Sequence, residues 1–186
     1  MGPGLDIGHQ LRTVDLSTVE RHPPIVGSMP IPATPAAGVA LVWKSEDETR
    51  AFAARLAAHP ALANAFIELR GELGAGKTTL VRHLLRALGV AGRIKSPTYA
   101  VVEPYELPAF PIWHFDFYRF ANPLEWEDAG FRDIFAGPGL KLAEWPENAG
   151  LLLPRADLVL RIDAQPDESR HVFLGAQSPV GEGLLQ

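Results

Sequence analysis

The pattern of apolar and polar residues predicts strands and helices that alternate from Val39 onward. Val39–Trp43 and Ala65–Leu69 are short apolar runs of the length typical of strands. Between them, Ser45–Glu48 has the S/T-x-x-E pattern of a capping box, and apolar residues at helical spacing continue to about His59. A second helical pattern covers residues 79–88. The first half of the folded chain is therefore predicted to run strand, helix, strand, helix.

The second half continues this alternation. Further strands are predicted at 100–102, 112–117, 140–145, 158–162 and 171–174, with a helix over 124–135. Strands interleaved with helices are typical of an α/β fold with a largely parallel central sheet flanked by helices. We therefore expect a single α/β domain over residues 39–175. The proline- and glycine-rich residues 1–38 predict a flexible extension, and residues 176–186 a loosely ordered tail.

A glycine-rich segment joins the predicted strand at 65–69 to the helix that follows it. Residues 70–79 read Arg-Gly-Glu-Leu-Gly-Ala-Gly-Lys-Thr-Thr and fit the pattern G-x-x-x-x-G-K-[ST]. Glycines permit backbone conformations that a side chain would block, so successive N–H groups can converge on phosphate oxygens at the positive end of a helix. Strand, loop and helix occur in the order that a phosphate-binding loop requires. The segment predicts a P-loop NTPase-like domain that binds a nucleotide.

Each residue of this loop has an expected contact. Lys77 is expected to reach the β- and γ-phosphates of ATP. Thr78 supplies a hydroxyl for Mg²⁺, a cation that keeps most of its waters and takes few protein ligands. Thr79 is expected to cap the first helical turn or to contact the α-phosphate. The other residues expected to bind the nucleotide are Gly71, Glu72, Leu73, Gly74, Ala75 and Gly76.

Composition and charge narrow the classes of function. A chain of 186 residues with 47% hydrophobic content is long enough for one well-buried domain. It has no cysteine, which excludes disulfides and zinc-thiolate sites, and no apolar run near the ~20 residues that span a bilayer. We therefore expect a soluble cytoplasmic protein. A formal charge of −5 with no basic cluster argues against strong nucleic-acid binding by this chain alone.

Three further segments carry polar groups suited to a nucleotide site. In the strand that contains His114 and Asp116, period two sets these side chains opposite two phenylalanines, which places Asp116 well for Mg²⁺ or its waters. Glu144 ends a mostly apolar strand, as an acidic residue beside a phosphate loop would. Thr98 lies in a proline-stiffened turn that could sense the γ-phosphate. Each segment also has a plainer interpretation. His114 and Asp116 could lie on an ordinary strand surface, Glu144 could be an exposed strand end, and Thr98 could be a turn residue. Trp145, which follows Glu144, could belong to the hydrophobic core or its edge.

Four motifs together resemble one known family. They are Gly-Glu-Leu-Gly-Ala-Gly-Lys-Thr-Thr at 71–79, Lys-Ser-Pro-Thr-Tyr at 95–99, His-Phe-Asp-Phe-Tyr-Arg at 114–119 and Glu-Trp-Pro-Glu at 144–147. In order and spacing they are similar to the motifs of TsaE, also called YjeE, over roughly residues 40–163. The chain departs from the family at Ala100, where a hydroxyl residue is frequent, and in its longer N-terminal segment.

The resemblance implies a bacterial P-loop ATPase that is required, with TsaB and TsaD, for N6-threonylcarbamoyladenosine (t6A) at position 37 of tRNAs that read codons beginning with A. The roles it implies are phosphate and Mg²⁺ contacts for Lys77 and Thr78, a first switch for Thr98, a second switch at the metal for Asp116, the Walker B position for Glu144, and proximity to the nucleotide for Trp145. Such ATPases are weak alone and act through the TsaD and TsaB complex. Contact with tRNA would then be indirect, through these partners.

The expected reaction is in-line attack of water on the γ-phosphate of ATP, with Lys77 and Mg²⁺ neutralising charge and either Asp116 or Glu144 orienting the water. Two other functions stay open. A small-molecule kinase requires a second substrate pocket and usually an arginine-bearing lid, and between residues 124 and 152 the basic residues are Arg132 and Lys141 alone. A non-catalytic, nucleotide-gated scaffold would have the same sequence features as a weak ATPase.

Overall fold

The computed structural model describes residues 38–97, 100–122, 126 and 129–186. Within these residues, the strands are β1 (Gly38–Trp43), β2 (Phe66–Arg70), β3 (Val102–Glu106), β4 (Pro111–Asp116), β5 (Leu140–Glu144), β6 (Leu158–Ala164) and β7 (Arg170–Ala176). The helices are α1 (Glu46–Ala57), α2 (Lys77–Ala87), α3 (Phe131–Ala136), α4 (Pro146–Ala149) and α5 (Pro179–Leu184), with short 3₁₀ turns at Pro60–Asn64 and Gly150–Leu152.

The described strands form one seven-stranded sheet in the order β1-β7-β6-β2-β5-β4-β3. The four central strands, β6, β2, β5 and β4, are parallel to one another. Antiparallel strands complete both edges, because β7 pairs with β6 and β1, and β3 pairs with β4. The expected α/β fold with a largely parallel centre is confirmed. Parallel pairing also brings the carboxyl ends of β2, β4 and β5 to the same edge of the sheet.

One face of the sheet is covered by α1 and α2, which pack against each other. The apolar period predicted for α1 is confirmed, since Phe52, Ala53 and Leu56 are buried in the core on this side. Alternate residues of each central strand point into the same core, for example Ile67 and Leu69 of β2. Burial of this face stabilises the scaffold from which the loop after β2 projects.

The opposite face is packed with aromatic side chains. Phe115 of β4 stacks on Phe135, with ring centroids 4.9 Å apart, and meets Phe131 edge to face at 5.3 Å. Phe117, just beyond the strand, lies 6.2 Å from the ring of Trp126. Such offset and edge-to-face pairs add to the energy of burial. The two phenylalanines that the sequence set opposite Asp116 are therefore core residues, as period two predicts.

The polar positions of β2 are explained by an internal ion pair. Glu68 is 7% exposed, and its carboxylate accepts a hydrogen bond from the guanidinium of Arg70 at 2.7 Å, two residues along the same face. A central strand between parallel neighbours is usually apolar on both faces, because a buried charge is costly unless it is paired. The pairing lets β2 alternate in polarity and still lie at the centre of the sheet.

One predicted strand is displaced. The sequence places a strand at 100–102, whereas β3 covers Val102–Glu106. Ala100 and Val101 form a turn in which the Val101 N–H donates to the Pro97 carbonyl at 3.1 Å, and Val101 has a left-handed φ of 61°. Pro104 lies within β3, and a proline argues against a strand when the sequence is read alone. It is tolerated because β3 is an edge strand and a proline needs no partner on the open side.

Both ends of the folded chain also differ from expectation. Ser45 precedes α1, but its side chain makes no capping hydrogen bond; Glu48 instead accepts from the Lys44 N–H at 2.6 Å. Residues 179–184, expected to be loosely ordered, form α5, which Ser178 caps by accepting from the Gly181 N–H. Gly181 allows the close packing, since a Cβ there would lie 1.8 Å from the Asp157 carbonyl oxygen.

Three expectations fall wholly or partly outside the described residues. These are the flexible extension, Thr98, and the helix predicted over 124–135, of which residues 124, 125, 127 and 128 are not described. In the described part of that helix, Gly130 has a left-handed φ of 69° and α3 begins after it. The continuous helix predicted there is therefore wrong at Gly130, because a left-handed residue interrupts the helical hydrogen bonds.

Candidate nucleotide site

The glycine loop turns sharply from β2 into α2. Gly71 has a φ of 137°, and a Cβ at this position would lie 2.3 Å from the carbonyl oxygen of Ile162 on β6. Gly76, the residue before α2, has a φ of 111°. Both conformations favour glycine, which confirms the reason for glycines at these positions. The loop consequently passes close to the sheet and leaves the free N–H groups of the α2 N-terminus beside it.

Lys77 is folded back into the loop. Its ammonium Nζ donates to the carbonyl oxygens of Gly71 at 2.5 Å and Glu72 at 2.9 Å, and it lies 4.0 Å from the centroid of the Trp145 ring. Burial lowers the pKa of Lys77 from its ordinary value, and nearby carboxylates, Glu144 first among them, oppose that shift. The lysine therefore stands at the loop as a desolvated cation, held by weak neutral acceptors and an aromatic face.

Glu144 is the centre of the polar network at this edge. It ends β5, it is 2% exposed, and it lies directly across from Leu69 of β2 in the ladder. Its Oε2 accepts from the Thr78 hydroxyl at 2.9 Å, and its Oε1 lies 2.8 Å from Nε2 of His114. The carboxylate is thus held on both oxygens, which excludes the interpretation of Glu144 as an exposed strand end.

Asp116 ends β4 and is paired in register with Glu144 on the adjacent strand. Its Oδ1 accepts from the Tyr118 N–H at 3.0 Å. Burial raises the pKa of Asp116, and the charge of Glu144 raises it further, while the Tyr118 hydrogen bond acts in the opposite direction. Two carboxylates meeting at one sheet edge are an unfavourable arrangement that a cation would relieve.

The oxygen donors at this edge fit Mg²⁺. Thr78 offers a hydroxyl and Glu144 and Asp116 offer carboxylates, all of which are hard ligands. Within the described ranges, no group of three or more His, Asp or Glu side chains is arranged to hold a metal ion by itself. Mg²⁺ suits such a site because it takes few protein ligands and completes its shell with water and substrate phosphates.

Trp145 adopts a left-handed conformation, with φ 55° and ψ 46°, between β5 and α4. Its ring packs against Tyr118, with centroids 5.0 Å apart, as well as under Lys77. A non-glycine residue in this region of backbone space is uncommon and costs of order 1 kcal/mol. The turn directs the indole to the glycine loop, where it contacts Lys77, so the ring lies where the family resemblance would place it.

A cavity of about 130 Å³ opens on the other side of the loop. Arg170, at the start of β7, reaches the loop from there and donates through Nε to the Ala75 carbonyl at 2.9 Å. The residues that line the cavity are Trp43, Ser45, Glu46, Thr49, Ala75, Gly76, Thr79, Glu168 and Arg170. Neither Arg170 nor this cavity was found from the sequence, since the contact joins residues 95 positions apart with no shared motif.

The predicted site residues therefore converge, with two qualifications. Lys77, Thr78, Asp116, Glu144 and Trp145 surround the α2 N-terminus, and Thr98 lies outside the described residues. Thr79 does not cap the helix, because α2 begins at Lys77 after Gly76 and no side chain makes a capping bond. Thr79 lines the cavity instead. His114, noted from the sequence only as sharing a face with Asp116, is the missed partner of Glu144.

A glycine loop between a central parallel strand and a helix, with an acidic strand end beside it, defines this protein as a P-loop NTPase-like α/β domain. Residues 43–172 match the family described as threonylcarbamoyl adenosine biosynthesis protein TsaE. The chain belongs to the TsaE family.

Individual relatives agree with this assignment. The chain is 44% identical over 119 residues to the tRNA threonylcarbamoyladenosine biosynthesis protein TsaE of Haemophilus influenzae, an alignment covering 64% of this chain and 75% of the relative. It is 34% identical over 138 residues to the protein of the same name from Bacillus subtilis, covering 73% and 85%. The crystal structure of YdiB from Bacillus subtilis matches with a TM-score of 0.63 and 28% identity, over 80% of this chain and 92% of that chain.

No helix in the described part of the chain is both long enough and apolar enough to cross a bilayer.

Proposed function

We propose that this protein binds and hydrolyses ATP with Mg²⁺ and acts with TsaB and TsaD in forming t6A at position 37 of tRNAs that read codons beginning with A. Membership of the TsaE family supports the pathway, since the matching relatives are named for threonylcarbamoyladenosine biosynthesis. The partners and the tRNA position come from the resemblance in the four motifs. A cytoplasmic location is part of the same proposal.

The observation that carries the ATPase proposal is the meeting of Lys77, Thr78 and Glu144 at the α2 N-terminus. A helix N-terminus with free N–H groups favours phosphate oxygens, and Lys77 adds a desolvated positive charge. Thr78 and Glu144 already share a hydrogen bond of 2.9 Å at the position where a hydroxyl and a carboxylate would hold Mg²⁺ or its waters. This combination serves a nucleoside triphosphate better than a lone phosphate.

The cavity on the Arg170 side of the loop suits the nucleoside. Thr79 lines it and follows directly after the residue proposed to meet the metal, so a chain of phosphates crossing the loop would end there. Trp43 supplies an apolar surface, and Ser45 and Thr49 supply hydroxyls for a base or ribose. We place the base and ribose in this cavity.

Lys77, Glu144 and Asp116 would each have a separate role in hydrolysis. Bound Mg²⁺ would supply neutralisation of the charge on the phosphate oxygens. Lys77 would leave the carbonyl oxygens of Gly71 and Glu72 and turn its ammonium to the β- and γ-phosphates. Glu144 has both oxygens engaged, so we assign the orienting of the attacking water to Asp116, whose raised pKa suits a proton acceptor.

Charge supports indirect contact with tRNA. The chain carries a formal charge of −5, whereas strong RNA binding draws on a basic surface that neutralises phosphates. We propose that the TsaD and TsaB complex provides the tRNA contact and stimulates hydrolysis.

The decisive experiment measures ATP binding by calorimetry and ATP hydrolysis, alone and with TsaB, TsaD and tRNA. We expect stimulated turnover, and we expect Lys77→Ala to lower it by about 100-fold or more, as loss of a charge-stabilising donor does. Lys44→Ala is the matched control, because Lys44 is exposed and lies outside the loop. ATP binding without stimulated turnover would favour a nucleotide-gated scaffold, and an absence of ATP binding would refute the proposal.

A further inference from the structure

His114 is a buried polar residue to which the proposed mechanism gives no role. It lies within β4 and has no exposed surface. Nε2 lies 2.8 Å from Oε1 of Glu144, whereas Nδ1 has no hydrogen-bond partner among the described residues. Neighbouring residues on the same side of the sheet, Ile112 and Leu142, are apolar core residues. A polar side chain in such surroundings is costly, and within the described part of the chain its polar contact is Glu144.

The direction of that hydrogen bond follows from the chemistry of the two groups. Glu144 accepts from the Thr78 hydroxyl through Oε2, and a carboxylate offers only acceptors to a second partner. Nε2 of His114 therefore carries the hydrogen and donates it to Oε1. Nδ1, on the other side of the ring, has no hydrogen-bond partner among the described residues, so the polar contact that fixes the ring within them is the one to Glu144.

This bond restricts a flexible side chain at a crowded position. Free rotation would let the Glu144 carboxylate turn toward the Lys77 ammonium, which its charge already influences. With Oε1 held by His114, Oε2 remains directed at Thr78. Outer groups that orient a ligand in this way change metal affinity or activity by about 10- to 100-fold when removed.

We propose that His114 is a positioning residue for the metal site: its Nε2–H holds Glu144 turned toward Thr78, so that hydroxyl and carboxylate present their oxygens together to a nucleotide-bound divalent cation. This inference rests on the proposed nucleotide function. His114 itself contacts neither nucleotide nor metal. The alternative is that His114 only fills space in the core.

The test separates orientation from packing with three variants. His114→Leu replaces the imidazole with an apolar side chain of similar volume and removes the donor. His114→Gln retains an amide N–H at about the reach of Nε2. Ile112→Val, on the same strand and face, is the matched control, because it trims a fully buried side chain and leaves Glu144 and its two hydrogen bonds in place.

The readout is binding of Mn²⁺, followed by electron paramagnetic resonance, to the full chain with ADP, together with ADP affinity in EDTA. We expect His114→Leu to weaken Mn²⁺ binding about 10- to 100-fold while ADP affinity in EDTA stays within about 2-fold of the unsubstituted protein. His114→Gln should restore most of the Mn²⁺ affinity, and Ile112→Val should leave it unchanged.

Unchanged Mn²⁺ affinity in His114→Leu, or an equal loss in Ile112→Val, would overturn the positioning role. Failure of the unsubstituted protein to bind ADP would instead overturn the nucleotide function on which the role rests. If His114→Leu does not fold, His114→Asn takes its place, since its amide is one methylene too short to reach Glu144. Equal Mn²⁺ affinities for the Asn and Gln variants would then refute the inference.

Discussion

Substitution of Gly71 by alanine tests how closely the glycine loop passes the sheet. A Cβ at Gly71 would lie 2.3 Å from the carbonyl oxygen of Ile162, a β6 residue that is paired with Val172 of β7. Gly74, three residues further along the same loop, also has a positive φ, of 81°, but a Cβ there would meet no atom within 4 Å. Gly74→Ala is therefore a matched control with backbone strain and no collision.

The expected magnitudes follow from this difference. Both variants place alanine at a positive φ, which costs of order 1–2 kcal/mol at the left-handed φ of Gly74 and at least as much at the φ of 137° of Gly71. Gly71→Ala adds the displacement of backbone, and overpacking of this kind costs about 1–3 kcal/mol. We therefore expect Gly71→Ala to be less stable than Gly74→Ala by about 1–3 kcal/mol, or about 2–12 °C in Tm for a chain of this size.

Urea unfolding in the absence of nucleotide measures the difference directly. The two variants should share an m-value and differ in midpoint, because the native and unfolded surfaces are nearly the same. Calorimetry should show the larger loss of ATP affinity in Gly71→Ala, since relief of the collision moves the loop away from β6. Equal midpoints for the two variants would refute the close approach of loop and strand.

Two further predictions concern Asp116 and the cavity. The pKa of Asp116 is raised above its ordinary value of 3.8, so the folded state holds the proton more tightly than the unfolded state. The free energy of unfolding therefore falls as pH rises from 3.8 through the raised pKa. Asp116→Asn, which keeps the acceptor for the Tyr118 N–H, should therefore raise the free energy of unfolding at pH 7 while hydrolysis falls; lower stability at pH 7 would contradict the burial argument. Ser45→Phe should fill the cavity and weaken binding of ATP but not of inorganic tripolyphosphate. Lys44→Phe, the control, should change neither affinity. Equal losses of affinity for both ligands in Ser45→Phe would place the nucleoside elsewhere.

Local sequence was sufficient for elements whose chemistry is local. The loop at 71–79, the helix after it and the two-residue period around Asp116 all depend on neighbours a few positions away, and each was predicted from the sequence. The fold class followed, because interleaved strands and helices allow few other arrangements. Glu144 could be placed near the loop by the same topology.

Features that depend on distant contacts were not predictable from one sequence. The β3 strand carries Pro104, and only its edge position makes the proline tolerable. Arg170 meets Ala75 across 95 residues, and His114 meets Glu144 across 30. A short C-terminal helix containing two glycines has little intrinsic helix propensity, so α5 depends on packing against β6 and β7. These contacts depend on tertiary packing, for which the sequence carries no periodic signal.

The side chain of Lys77 folds back and contacts atoms of its own loop and the Trp145 ring. Its ammonium is tethered within reach of two carbonyl oxygens and an indole face, so these groups act as an intramolecular competitor at high effective concentration. In the proposed ATP complex, binding would be an exchange: phosphates would replace one set of lysine contacts with another, and only the difference would appear as affinity. When phosphate departs, the same loop contacts would take up the lysine again. The proposed site would then release nucleotide without leaving the Lys77 ammonium unpartnered.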